Sequence, residues 1–219
     1  MNTRIPLIAS LLAACALPAL AGPFDGLQAS VGVQQSQARL QGGDVFDNTG
    51  TDLGYATSDA SRNRTGLQFG VAYGVSSGDW QTTVGVDYRG INHGLRADDG
   101  QGNAYGLDVT RRVDVYVAPG YAIDRDSVVY GKLGYSHLTL DNASNAASGA
   151  LSGGPGTHAV IYGLGFKQTI GDSTSPLFYT VEYTTGTTAS GALVDANGNS
   201  SDSRLKLSTV GVSLGYRFN

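Results

Sequence analysis

The strongest constraint on this chain is a two-residue alternation of apolar and polar side chains that returns eight times along its length. Successive side chains of a β-strand point to opposite faces, so this alternation marks strands with one apolar face. The first segment, over residues 24–39, sets Leu27, Ala29, Val31 and Val33 against Gln28, Ser30, Gly32 and Gln34. The last sets Val210, Val212, Leu214, Tyr216 and Phe218 against Gly211, Ser213, Gly215 and Arg217. Between them the apolar parity runs through Leu67–Val75, Trp80–Tyr88, Leu107–Val117, Val129–Tyr135, Val160–Phe166 and Leu177–Tyr183. Arg111 falls on the apolar parity of the fourth segment, and Ile161 and Phe178 fall on the polar parity of theirs. Each segment suits the roughly 9–11 residues of a tilted membrane strand. Beyond the N-terminal segment no run of 18 apolar residues occurs, which excludes a spanning helix there.

The connections alternate in length. Residues 76–79, 120–126 and 171–176 are short, whereas 40–64, 90–105, 141–158 and 186–203 are long and rich in small polar residues. The long ones lack periodicity and read as mobile loops. Short turns at one end and long loops at the other are the asymmetry of a membrane barrel. Composition agrees: 32 glycines disfavour helices, 12 tyrosines favour strands, and charged residues are only 15%. A net charge of −4 without a basic face gives nucleic-acid binding no support.

Residues 1–21 read as an export signal, with Arg4 before an apolar stretch from Ile5 to Leu17 and a small-x-small site at Ala19-Leu20-Ala21. Cleavage between Ala21 and Gly22 leaves a single domain over 22–219 and removes Cys15, the sole cysteine. Leu12-Ala13-Ala14-Cys15 reads alternatively as a lipoprotein box, which would leave Cys15 lipidated.

Alternation alone does not say which face is inside. The polar parity carries Asp87, Arg89, Arg112, Asp114, Lys132, Lys167, Glu182 and Arg217, which a narrow lumen can hold as paired charges. The apolar parity carries aromatics near segment ends: Phe24, Tyr73, Trp80, Tyr88, Tyr135, Tyr162, Phe166, Tyr179, Tyr183, Tyr216 and Phe218. Amphipathic rings at that spacing suit interfacial girdles. The expected fold is an all-β, eight-stranded antiparallel up-and-down transmembrane barrel with its apolar face outward.

Val115-Tyr116-Val117-Ala118-Pro119-Gly120-Tyr121, Val129-Tyr130-Gly131-Lys132-Leu133-Gly134-Tyr135 and Gly211-Val212-Ser213-Leu214-Gly215-Tyr216-Arg217-Phe218 resemble the small outer-membrane β-barrel superfamily. That group includes the OmpA transmembrane domain, OmpX, the Ail/Lom group and neisserial opacity proteins. The resemblance implies the outer membrane of a Gram-negative bacterium. It also implies assembly through a terminal-strand signal, here Tyr216 and Phe218, by the barrel assembly machinery; Asn219 after Phe218 departs from the usual terminal Phe. Lipopolysaccharide and host surface molecules are the partners it implies. The role expected is structural or surface-interacting, adhesin- or opacity-like. A lipid A-modifying enzyme or a small channel is the alternative.

No catalytic, metal or cofactor site is expected. Ser136 and His137 are sequence neighbours on a strand and so point to opposite faces, which denies them a nucleophile–base pair. His93 and His158 fall at strand–loop junctions. The segment Asp195-Ala196-Asn197-Gly198-Asn199 lacks the Gly and Glu of a calcium loop, because Ser200 and Lys206 stand at those places.

Overall fold

The computed structural model describes residues 22, 24–98, 100, 104–142, 157–172, 174–188, 191–194 and 199–218. Among them are eleven strands and no helix. Eight long strands form the barrel: β1 (Gly26–Gln41), β4 (Ala60–Ser77), β5 (Trp80–Asp98), β6 (Ala104–Ala122), β7 (Ser127–Asn142), β8 (Thr157–Thr169), β9 (Leu177–Thr188) and β11 (Ser200–Phe218). Each pairs antiparallel with its neighbour, and β1 pairs with both β4 and β11, so the sheet closes on itself. Three short strands, β2 (Asp44–Phe46), β3 (Asp52–Ala56) and β10 (Gly191–Val194), lie in the long connections.

Closure carries a defined stagger. The line of paired residues that leaves β1 at Leu27 passes Tyr73, Val84, Val117, Leu133, Tyr162, Thr185 and Ser208. It returns to β1 at Gln37, ten residues further on. An eight-stranded sheet with such a stagger tilts its strands by roughly 35–45° and leaves an interior that side chains can fill.

The alternation decides what faces where. Val31, Val33, Leu67, Phe69, Val71, Val84, Val115, Leu133, Val212 and Leu214 all point outward and are about half exposed. Gln28, Gln34, Ser36, Arg89, Arg112 and Thr209 point inward and are buried. Arg111 stands outward and exposed, while Ile161 and Phe178 point inward and are buried.

Three sequence expectations need correction. Where they are described, the long connections are largely strand: β4 begins at Ala60, β5 runs to Asp98 and β11 starts at Ser200, while residues 143–156 of the third connection lie outside the described residues. In these extensions the pattern inverts. The outward residues become Gln35, Gln37, Arg39, Arg204 and Lys206, and the inward ones become Ala38, Leu40, Leu95, Ala97, Leu138, Leu205 and Leu207. The tube has left hydrocarbon for water there, so burying apolar surface inside becomes favourable. Second, Val109 is not on the outer face. A bulge between Val109 and Arg111 shifts the parity of β6 and turns Val109 into this apolar core; the side chain of Leu107 lies outside those described. Third, Phe24 is not a girdle residue: it is buried inside against Phe178 and Val128.

Tight turns close the other end. Ser77 pairs with Trp80 across Gly78 and Asp79, and Gly78 has a φ of 61°. A positive φ at the first central residue is the II′ arrangement, whose twist matches the flanking strands.

These faces predict a position-dependent cost for charge. Val212→Arg, within the apolar band, is expected to lose about 2–4 kcal/mol of folding free energy in lipid vesicles. Gln37→Arg, on the same wall in the extension, should stay within about 0.5 kcal/mol of wild type. Denaturant titration of both variants reads the difference.

Candidate functional site

The lumen is filled in three layers. At the turn end Phe24 and Phe178 meet edge-to-face at 5.9 Å beside Val128, with Tyr130 packed against them. Gly165 makes room for Tyr130: a Cβ there would meet the Tyr130 ring at 2.1 Å. At the loop end lies the apolar core of Ala38, Leu40, Leu95, Ala97, Val109, Leu138, Ala159, Leu205 and Leu207. A cap covers it. Val45 of β2 is buried, β2 pairs with β11, and Thr57 Oγ1 lies 3.3 Å from Ser201 Oγ.

The middle layer is ionic. Strands β5, β6, β7 and β9 place Asp87 and Arg89, Arg112 and Asp114, Lys132, and Glu182 on the inward parity, at levels where they meet. Arg89 is fully buried and donates from Nη2 to Glu182 Oε1 at 2.8 Å and from Nη1 to Gln34 Oε1 at 2.9 Å. Its Nε lies 3.0 Å from Asp114 Oδ2, a charge contact off the hydrogen-bond axis. Arg112 Nε donates to Asp114 Oδ1 at 2.7 Å and to Ser136 Oγ at 3.2 Å. Lys132 Nζ donates to Asp87 Oδ2 at 2.6 Å and to both Glu182 oxygens at 3.0 Å, and it sits 3.7 Å over the Tyr116 ring. Tyr130 donates its hydroxyl to Glu182 Oε2 at 3.1 Å.

Six of the eight lumen charges singled out in the sequence therefore form one cluster, three cations against three carboxylates. Lys167 and Arg217 are buried nearer the turn end. Lys167 Nζ donates to Gln28 Oε1 at 2.8 Å and faces the rings of Phe24 and Phe178. Arg217 stands directly opposite Gln28 in the ladder. Between this end and the cluster is a polar cavity of about 50 Å³ lined by Gln28, Asp87, Tyr116, Lys167, Phe178 and Glu182. That volume holds roughly a few waters.

Sequence reasoning missed the neutral partners Gln28, Gln34, Tyr116, Tyr130, Ser136 and Thr209. Their inward parity was visible, but their level in the tube depends on the stagger.

Outside, the aromatic residues fall at two levels. Trp80 packs edge-on against Tyr121 at 5.4 Å near the turns, with Tyr73, Phe166, Tyr179, Tyr216 and Phe218 at that end. Tyr88, Tyr135, Tyr162 and Tyr183 stand outward toward the loop end. Ser136 is buried inside while His137 is exposed outside, so the two stay apart. His158 is exposed beside His137, and His93 is fully buried. Among the described residues no group of three or more metal-ligating side chains occurs. Ala21, Asn219 and residues 195–198 lie outside the described residues; Gly22 donates its backbone N–H to Asp25 Oδ2 at 2.7 Å.

Outside the barrel's membrane zone, Asp59 accepts from Arg39 Nη2 at 2.7 Å and from the Gly42 N–H at 3.0 Å. The Arg39 hydrogen bond chiefly, then the Gly42 N–H, hold this carboxyl below the ordinary carboxylate value.

The ionic layer makes a strong prediction. Glu182→Gln leaves Lys132 and Arg89 short of a buried anion, at an expected cost of about 3–5 kcal/mol in detergent. Adding Lys132→Met should recover part of that loss, because the pair is then removed together. Arg39→Gln, which breaks an exposed pair, should leave the melt unchanged.

A family model described as "Outer membrane protein beta-barrel domain" matches residues 7–218. No curated protein sequence matches the chain. Among solved structures, OprG from Pseudomonas aeruginosa superposes with a TM-score of 0.51 at 13% identity, covering 90% of this chain and 100% of that one. Ail of Yersinia pestis, in complex with the heparin analogue sucrose octasulfate, gives 0.43 at 15%, covering 87% and 99%. The outer membrane protease OmpT from Escherichia coli gives 0.41 at 11%, covering 92% and 99%. At these identities the likeness speaks to the fold alone.

Proposed function

The chain belongs to the outer-membrane β-barrel domain family and lies in the outer membrane of a Gram-negative bacterium, and from that premise we propose that it is a sealed, non-enzymatic surface barrel. The observation that carries this reading is the triple filling of the lumen. An aromatic plug, a neutralised ionic layer and an apolar core lie in series along the bore. An ion crossing the middle layer would have to displace Lys132 or Arg89 from carboxylates at 2.6–3.0 Å. A tube so closed acts by what it holds outside.

The tight turns face the periplasm and the strand extensions stand on the cell surface, as the turn–loop asymmetry of such barrels requires. Residues 1–21 serve export and are removed after Ala21, and Tyr216 and Phe218 carry the assembly signal. Lipopolysaccharide packs against the girdles, and its phosphates pair with the outward, exposed Arg204 and Lys206. Host or neighbouring-cell surfaces meet the cap and the connections above it.

Purified protein in planar bilayers is expected to show no steady conductance; regular channel steps would overturn the sealed reading. A protease-cleavage sequence placed within residues 143–156 should be cut on intact cells, and protection there would reverse the orientation. Heat-modifiable gel mobility in the outer-membrane fraction tests the barrel itself.

A further inference from the structure

We propose that His137 and His158 form a chelating site for a divalent transition-metal ion such as Zn²⁺, Ni²⁺ or Cu²⁺ on the outer wall of the barrel. The two residues are directly opposite each other on β7 and β8. Both side chains are exposed and face outward, two positions from Tyr135 and Val160 respectively toward the loop end, at the edge of the apolar band. Their Nδ1 atoms lie 3.3 Å apart, with ring centroids at 4.8 Å.

That separation is the decisive number. A metal bound by two imidazoles at about 2.0–2.1 Å with a near-tetrahedral angle needs its two nitrogens about 3.3 Å apart. The ligand atoms are thus already at the bite distance.

The site is also held. Ser136 pairs with Ala159 below it and Leu138 with Thr157 above it, so both backbones are fixed in the ladder. The Tyr135 ring stacks on His158 at 5.2 Å and limits its rotation. Ligands fixed before binding lose less entropy on binding.

Binding needs an Nδ1 lone pair on each ring, with the proton of each imidazole carried on Nε2. Water completes the coordination sphere. Imidazole selects borderline ions and not Mg²⁺ or Ca²⁺, which prefer oxygen. A metal here would clip β7 to β8 at the base of the connection 143–156.

The test uses the untagged, folded barrel in detergent micelles. Zn²⁺ titrated by calorimetry should bind saturably with one site per chain, and MgCl₂ should not. His137→Asn and His158→Asn should each weaken Zn²⁺ at least tenfold, and Cu²⁺ electron paramagnetic resonance should show two equivalent nitrogens in wild type only. Should a variant fail to fold, diethylpyrocarbonate footprinting of wild type decides. Zn²⁺ should protect His137 and His158 together, with buried His93 unreactive throughout. Absence of saturable binding below millimolar Zn²⁺, wild-type affinity in either variant, or unprotected histidines would overturn the site.

Discussion

Everything in this molecule follows from the pairing of β1 with β11. In hydrocarbon an unpaired backbone N–H or C=O costs several kcal/mol, so a sheet that crosses a bilayer cannot have an edge. Fifteen consecutive partners along β1 and β11, from Leu27↔Phe218 to Gln41↔Arg204, remove that edge. Closing eight strands with a ten-residue stagger then sets the bore. The bore is narrow enough that a guanidinium reaching from one wall meets a carboxamide or carboxylate on another. Arg89 on β5 reaches Gln34 on β1 and Glu182 on β9 in this way.

A charged interior is a poor source of net stability, because desolvation offsets most of the Coulomb gain. Its value here is specificity. A one-residue slip of a strand reverses every side chain. Slipping β5 would carry Asp87 and Arg89 into lipid and bring Val86 and Tyr88 into the lumen. The penalty for that error far exceeds what an all-apolar strand would incur. The ionic layer therefore fixes register and facing, and its three cations and three carboxylates leave the cluster itself neutral.

The strand count, the antiparallel order, the outward apolar face and the inward parity of the eight charges were legible in the sequence, since each follows from the two-residue period. What was not legible depends on level and on departures from the period. Parity says that Gln34 and Arg89 both face inward; only the stagger says that they touch. The bulge before Arg111 cannot be told from an ordinary mismatch, so Val109 was misplaced. Phe24 precedes β1 and obeys no strand parity, and it turns inward to cover the rings at the turn end. The described parts of the long connections escape a reading by period for a different reason. Their strands keep the period but exchange its two faces, and a search for apolar-outward alternation sees only its loss.

That exchange separates two solvents along one continuous tube. On β1 the outer face passes from Val33 to Gln35 as the inner face passes from Ser36 to Ala38. On β11 the same change falls between Val210 and Ser208 outside, and between Thr209 and Leu207 inside. Below it the barrel turns its apolar face outward around an ionic layer and an aromatic plug; above it, the wall turns its polar face outward around an apolar core. Water-soluble walls tolerate substitution of their outward residues, whereas the membrane wall restricts them to apolar and interfacial types. The surface free to diversify is therefore the part above Gln35 and Ser208. There the outward Arg39, Arg204 and Lys206, the histidine pair and the short strand β2 stand on a wall whose backbones are paired all the way round.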